Sequence, residues 1–316
     1  MLSDLPTEPI TLPLVGLGLR HPHYDAALKA PTGVDFVEFH AENLYPEGGL
    51  HQAFLADVLA TFPVSIHGTS LGLGSTEKLP DVELAKFAGV IERTQPLLVS
   101  EHICFNRARI HGKLLHSGDL YPIPYNNESL DTMCHAIVQV QSKIGRPILL
   151  ENLSAYLPNI EHTLSESEFL HQLVQRTECG LLLDLNNILV NLHNQQARPS
   201  SNQSLIDQAI AWIKTLPLHA VQEIHLAGFS PNKVHGFYID DHGQPVSDEC
   251  WALYRHVIAL TGPVPTLIEW DNDLPEWEVL IKQATLAKKV AREGLQMAHK
   301  SSAPVSDQSL SSKPCL

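Results

Sequence analysis

Six apolar runs in this sequence close on a residue that can bind a metal or move a proton. Pro63-Val-Ser-Ile-His67, Pro96-Leu-Leu-Val-Ser-Glu-His102 and Val221-Gln-Glu-Ile-His225 end on histidine, Pro147-Ile-Leu-Leu-Glu151 and Pro265-Thr-Leu-Ile-Glu269 on glutamate, and Gly180-Leu-Leu-Leu-Asp184 on aspartate. Charged side chains are almost never buried unpaired, so a core strand that ends on one marks the start of a polar site. Three imidazoles and three carboxylates gathered at one place repel unless cations lie among them. Asp240-x-His242 adds a pair that an extended loop turns toward one ion, and Asn187 adds an amide oxygen. Nine such positions exceed the needs of one metal, which implies two or three ions bridged by a carboxylate such as Glu151. The mixed imidazole and carboxylate set suits iron, zinc or manganese, and the lack of thiolates argues against a structural zinc site.

Other residues have two readings. Asp184 and Asn187 also suit the cap of a following helix. His40, Glu42, Asn43, Asn152, Asn186 and Arg20 would orient ligands or substrate from behind. His21 and His23 fit a surface loop as well as a site, and Asp271 and Asp273 fit caps of the last helix.

Elements that position these groups follow from the hydrophobic pattern. Strands are expected at Leu14–Arg20, Val34–His40, Pro63–Gly68, Pro96–His102, Pro147–Glu151, Gly180–Asp184, Val221–His225 and Pro265–Glu269. Helical spacing falls over Asp25–Ala30, Gln52–Thr61, Val82–Thr94, Ser129–Ile144, Ser165–Thr177, Asn202–Leu216, Asp248–Thr261 and Pro275–Gly294, with Ser165 and Glu168 set as a capping box. Residues 1–12 read as an extended lead-in, 105–126 and 227–246 as long loops, and 297–316, rich in Ser and Pro, as a disordered tail. Eight short strands alternating with helices predict an α/β fold, a (β/α)8 TIM barrel of the xylose-isomerase-like kind, as a single domain over 1–296. A doubly wound sheet is the rival, but Gly16-Leu-Gly18 lacks the third glycine and the helix of a phosphate loop.

Composition narrows the function. The chain has 316 residues and a net charge of -14, which argues against a partner held through phosphates and so against nucleic acid. Its 18 histidines nearly equal its 21 lysines and arginines, a balance that points to metal. Five scattered cysteines indicate neither a disulfide framework nor a zinc knuckle. No apolar run reaches membrane-spanning length and the start lacks signal-peptide character, so a cytoplasmic protein with no membrane partner is expected.

Ten motifs in order then carry a resemblance over about residues 13–285. They are Gly16-Leu-Gly-Leu-Arg20, Glu38-Phe-His-Ala-Glu-Asn43, His67-Gly68, Ser100-Glu-His102, Leu120-Tyr-Pro-Ile-Pro124, Leu149-Leu-Glu-Asn152, Leu182-Leu-Asp-Leu-Asn-Asn187, Glu223-Ile-His-Leu-Ala-Gly228, Asp240-x-His242-Gly and Ile268-Glu-Trp-Asp271. With them the chain resembles the multinuclear non-haem iron-dependent oxidative enzymes, the family also designated domain of unknown function 692 or uncharacterised protein family 0276, which includes enzymes of methanobactin biosynthesis. The resemblance implies a TIM barrel with two or three iron ions, Fe2+ and Fe3+, that uses O2 to modify cysteine residues of a ribosomally made precursor peptide. It also implies a partner protein that binds the peptide's leader. Carried over by position, His67, His102 and Glu151 would hold one iron. Glu151, Asp184, His225 and Glu269 would hold a second, and Asp240 with His242 a third. The chemistry would be metal-centred, with substrate thiolate and O2 meeting at iron and hydrogen leaving the cysteine β-carbon.

Three positions depart from the family pattern. Asn187 stands where some relatives with three metals have His, Glu101 where Asp is common, and Phe229 where His often follows Leu-Ala-Gly. Two other chemistries fit ligands of these types. One is a zinc phosphoesterase similar to the trizinc barrel that nicks DNA at abasic sites, and the other is a sugar isomerase with two divalent ions, although its usual catalytic Lys is not evident at a strand end. A metal-binding protein without catalysis is a third reading.

Overall fold

The computed structural model describes residues 11–302, apart from 47, 49, 157–160, 196–203, 233 and 235. The expected lead-in, the far end of the tail and Cys315 lie wholly or largely outside these residues.

Eight of the strands close a parallel barrel. In chain order these are β1 (Val15–Gly18), β2 (Phe36–His40), β3 (Val64–His67), β4 (Val99–His102), β7 (Leu149–Glu151), β8 (Gly180–Asp184), β9 (Val221–Leu226) and β12 (Thr266–Ile268). The order around the barrel is β1, β12, β9, β8, β7, β4, β3, β2, and β1 pairs with β2 on its other side to close the ring. Their residues are almost all buried, as expected of strands covered on both faces, which read as continuous runs of Val, Leu and Ile. Closure rests on the register Val15 opposite Thr266 and Gly18 opposite Glu38. A side chain at Gly16 would run into the Phe36 ring, so the first strand is thin where the barrel closes on that ring.

The outer layer is α1 (Tyr24–Lys29), α2 (Leu50–Thr61), α3 (Asp81–Thr94), α4 (Asn127–Ile144), α5 (Glu166–Thr177), α6 (Leu185–Gln195), α7 (Leu205–Ile213), α8 (Asp248–Thr261) and α9 (Trp277–Ser302). Leu130, Met133, Ile137 and Val140 form the buried stripe of α4 at helical spacing. Full burial of each such side chain stabilises the fold by roughly 1.5–3 kcal/mol. The predicted capping box is present: Ser165 accepts from the Glu168 amide, and the Glu168 carboxylate accepts from the Ser165 amide at 2.8 Å. Asn126 caps α4, and Gly145, at φ 73°, ends it.

The structure differs from the sequence reading in four places. The stretch 105–126 is largely an antiparallel hairpin, β5 (Cys104–Ile110) and β6 (Lys113–Pro122), turning at His111 and Gly112 with φ of 50° and 77°. That is the backbone of a tight two-residue hairpin turn. A smaller hairpin, β10 (Ser230–Asn232) and β11 (Phe237–Ile239), forms within the loop expected over 227–246. Helix α6 follows β8 directly, and α9 continues to Ser302 rather than ending near Gly294. No helix among the described residues is long and apolar enough to cross a membrane.

Candidate metal centre

The carboxyl ends of the barrel strands and the loops after them place seven of the nine predicted ligands, His67, His102, Glu151, Asn187, Asp240, His242 and Glu269, around one cavity of about 180 Å³, and Asp184 and His225 are not among its lining residues. Nε2 of His67 and Nε2 of His102 each lie 3.3 Å from Oε2 of Glu151. The other nitrogen of each ring is fixed from behind. His67 Nδ1 is 2.8 Å from Ser100 Oγ, and His102 Nδ1 is 3.1 Å from the carbonyl of Gly68. Such contacts set the tautomer that leaves Nε2 free for a metal.

A second group shares Glu151. Ligand atoms of Glu151, Asp184, His225 and Glu269 lie within 4.8 Å of one another, as do those of His67, His102 and Glu151, and all six residues are buried. Glu269 Oε2 is 3.0 Å from His225 Nδ1 and 3.2 Å from His242 Nδ1. The loop pair converges as expected, with His242 Nε2 2.8 Å from Asp240 Oδ1 and 3.9 Å from Asp184 Oδ2. Asp184 caps α6, its Oδ1 accepting the Asn187 backbone amide at 2.6 Å, while its Oδ2 accepts no hydrogen bond.

The flanking residues divide. Arg20 donates through Nε to Asp271 Oδ1 at 2.9 Å, reaches His40 Nε2 at 2.9 Å and stands 3.7 Å from Glu269 Oε1. Asn152 exchanges hydrogen bonds of 3.0 Å with the backbone N–H and C=O of Asp184, joining β7 to β8. Asn186 donates to Asp240 at 2.7 Å, and Glu42 accepts from the Thr69 amide at 3.0 Å. Asn43 is exposed on the turn after β2. His23 is a buried packing residue bonded to the Pro275 carbonyl at 2.8 Å. Asp271 is no helix cap: it pairs with Arg20 and lies 3.4 Å from His242 Nδ1. Phe229 packs edge-on against Tyr238, away from the metal-ligand pattern. Glu101 accepts from the amides of Leu71 and His102, which ties the loop after β3 to β4.

The reading from strand ends missed Glu38 and Glu223, both fully buried inside the barrel. Each stands two residues before a histidine, Glu38 before His40 and Glu223 before His225, and so shares its face of the strand. That period was the available signal.

Burial dominates the electrostatics. It raises the carboxyl of Glu151 to about 8 against the pull of His102 and His225, and raises those of Asp184 and Glu223 to about 7. Burial works against protonation of His102, but Glu151 and Glu101 outweigh it and lift the imidazole to about 9. His225 and His242 are likewise held well above the usual value by their carboxylates in spite of burial. Burial also favours a neutral Glu269, yet His242 and His225 bring its carboxyl well below the ordinary range. His67 is pushed well down by burial and by His102. Such a cluster keeps protons at neutral pH that a cation would displace.

Residues 14–292 match the family described as RiPP precursor modification enzyme MbnB/TglH/ChrH. The chain belongs to this family. A UPF0276 protein of Chromobacterium violaceum is 42% identical over 281 residues, covering 89% of this chain and 96% of that protein. A UPF0276 protein of Paraburkholderia phytofirmans is 40% identical over 282 residues, covering 88% and 87%. Among solved structures, a xylose isomerase-like TIM barrel protein from Mycobacterium smegmatis in complex with magnesium aligns with a TM-score of 0.56 over 90% of this chain and 98% of that one, at 13% identity. An L-ribulose 3-epimerase aligns with a TM-score of 0.54 over 92% and 99%, also at 13% identity. At that identity the likeness is one of fold. The MbnB/TglH/ChrH family modifies RiPP precursors, and this member has buried His, Glu and Asp clusters of the kind that hold metal ions.

Proposed function

We propose that this protein is an iron-dependent oxidoreductase that uses O2 to modify cysteine residues of a ribosomally made precursor peptide, with two or three iron ions in the barrel mouth. The observation that carries the reading is Glu151, buried between two groups of ligands, with Oε2 3.3 Å from two imidazoles and no hydrogen bond to that oxygen. The residues fit the metal. Glu151 Oε2, Asp184 Oδ2 and Asn187 Oδ1 are buried polar atoms with no hydrogen-bond partner among the described residues, which costs free energy unless a cation takes the place of the missing donors. Imidazole and carboxylate donors suit iron, and also zinc or manganese.

His67, His102 and Glu151 would hold one ion. Glu151, Asp184, His225 and Glu269 would hold another, and Asp240 and His242 with the Asn187 oxygen would hold a third. Bound iron supplies one-electron chemistry with O2 and a binding position for a thiolate. The chain's own part is to bind and to exclude. A cavity of about 180 Å³ has room for a small side chain and not for a folded domain, so the peptide would present one cysteine while its main chain stays outside. Leu120 and Leu153 line the cavity and displace water from the reacting side chain. Arg20 holds Asp271 and His40, and through them the orientation of His242 and Glu269. A leader-binding partner protein would supply the affinity for the rest of the precursor.

The test is reconstitution with ferrous iron under anaerobic conditions, followed by O2 and a cysteine-bearing precursor peptide encoded beside this gene. Mass spectrometry should show an O2-dependent mass change that disappears when the cysteine is replaced by serine. An unchanged peptide, together with phosphoester hydrolysis by the zinc-loaded protein, would contradict the reading.

A further inference from the structure

His225 offers two nitrogens, and the structure surrounds them differently. Nδ1 is on the side of the metal centre, 3.0 Å from Glu269 Oε2. Nε2 faces the barrel interior, 3.8 Å from Glu38 Oε2 and 3.9 Å from Glu223 Oε1. All three side chains are fully buried. Glu223 and His225 sit two residues apart on β9 and share a face, while Glu38 comes from β2, three strands away around the ring. Glu38 Oε2 receives a hydrogen bond of 2.9 Å from Ser65 Oγ. Its other oxygen, both oxygens of Glu223 and His225 Nε2 have no hydrogen-bond partner among the described residues. His225 is the only basic side chain of the described residues within ion-pair distance of either carboxylate.

Two carboxylates enclosed beneath one imidazole are costly to bury and do nothing for packing that Leu or Met would not do better. Their position gives them a role. We propose that Glu38 and Glu223 are positioning residues for His225: their carboxylates, 3.8 and 3.9 Å from Nε2, keep the proton on that nitrogen, leave Nδ1 to the metal, and bias that metal toward its higher oxidation state. The inference rests on the reading of His225 as a metal ligand. A carboxylate close to the far nitrogen favours the tautomer that carries its proton there and so leaves the metal-facing nitrogen as the donor. The added negative charge in a low-dielectric interior stabilises the ion of higher charge and lowers its reduction potential. Two carboxylates, one anchored by Ser65, strengthen the effect over one.

The test compares the wild type with Glu38→Gln, Glu223→Gln and Ser65→Ala, each loaded with ferrous iron without air and examined by elemental analysis, Mössbauer spectroscopy and redox titration. The glutamine variants keep shape and an acceptor but lose the charge. Expected is a loss of affinity of about 10–100-fold for one iron, with the remaining iron unaffected, a changed Mössbauer signal for that iron, and a raised midpoint potential with more of it ferrous at rest. Ser65→Ala keeps both carboxylates but removes the anchor of Glu38, and should change the Mössbauer signal and potential of that iron by less than the glutamine variants do. If the glutamine variants fail to fold, Ser65→Ala decides alone, and an unchanged spectrum and potential would overturn the proposal. It would also be overturned if one whole metal equivalent vanished while the signal of the His225 iron stayed as in the wild type, since Glu38 and Glu223 would then be ligands of a separate ion. A wild type without iron would contradict the metal reading itself. Iron-replete wild type with unaltered variants would contradict only the positioning role.

Discussion

The amide of Asn187 donates to the carboxylate of Glu151 across 3.4 Å, and its second N–H goes to the Asn152 carbonyl at 2.9 Å. These bonds turn Oδ1 to a buried place where it accepts nothing. A neutral amide oxygen is a weaker donor to iron than imidazole, so an ion held by Asp240, His242 and Asn187 should be the first to leave. Asn187→His should therefore retain about one more metal equivalent after treatment with a mild chelator, measured by elemental analysis. Equal metal content in the two proteins would show that this position does not limit the third ion.

Glu151 belongs to both ligand groups, whereas His67 belongs to one. Glu151→Ala should deplete both metals and His67→Ala only one, with each variant's thermal melt confirming that it is folded. If Glu151→Ala lost no more metal than His67→Ala, the shared position of that carboxylate would have no functional meaning.

Proton release gives a pH signature. Glu151 holds its proton to about 8, Asp184 and Glu223 to about 7, and His102 to about 9 in the metal-free cluster. Metal binding needs the ligands among them deprotonated, so metal affinity should rise from pH 6 to pH 9 with release of protons, followed by titration calorimetry in buffers of different ionisation heat. The metal-free protein should change the opposite way. Groups with raised folded-state values contribute stability that is full at pH below their unfolded values and is lost as pH rises through the folded ones, here between about 5 and 9. His67, and His162 outside the cluster, are pushed down by burial and oppose the trend, and Glu269, held low, costs stability only at more acid pH. The chelated protein should thus melt at a lower temperature at pH 9 than at pH 6, and the metal-loaded protein should show a weaker dependence.

Arg20 is the cation beside Asp271 and Glu269, at 2.5 Å from the first and 3.7 Å from the second. Arg20→Met leaves these carboxylates without it. Breaking one partner of a buried pair costs about 3 kcal/mol, so the metal-free variant should unfold at markedly lower denaturant concentration. Added metal should recover part of the loss, because a cation again faces Glu269. A variant as stable as the wild type would mean that Arg20 adds nothing net to the stability of these carboxylates.

The barrel and its mouth were legible because parallel strands covered on both faces leave continuous apolar runs, and here the runs stop where the polar mouth begins. His67, His102, Glu151, Asp184, His225 and Glu269 all came from that one rule. Residues within the strands escaped it. Glu38 and Glu223 follow the period of two rather than the strand end, and Asp271 follows the same period beyond Glu269. The hairpin β5–β6 was hidden for a different reason. From Lys113 to Asp119 it is exposed on both faces, so it has no alternation of apolar and polar residues, and only His111-Gly112 marked its turn. Helix α6 showed in the sequence only as the cap that Asp184 and Asn187 suggest, because β8 passes into it without Gly or Pro, with Asp184 ending the strand and accepting from the third residue beyond it.

The most direct test of the central claim is elemental analysis with Mössbauer spectroscopy on protein expressed with ample iron and purified without air. The account predicts two to three irons per chain, coupled through a shared carboxylate, with one of them lost in His225→Ala. Stoichiometric zinc with little iron would contradict it and move the function to hydrolysis.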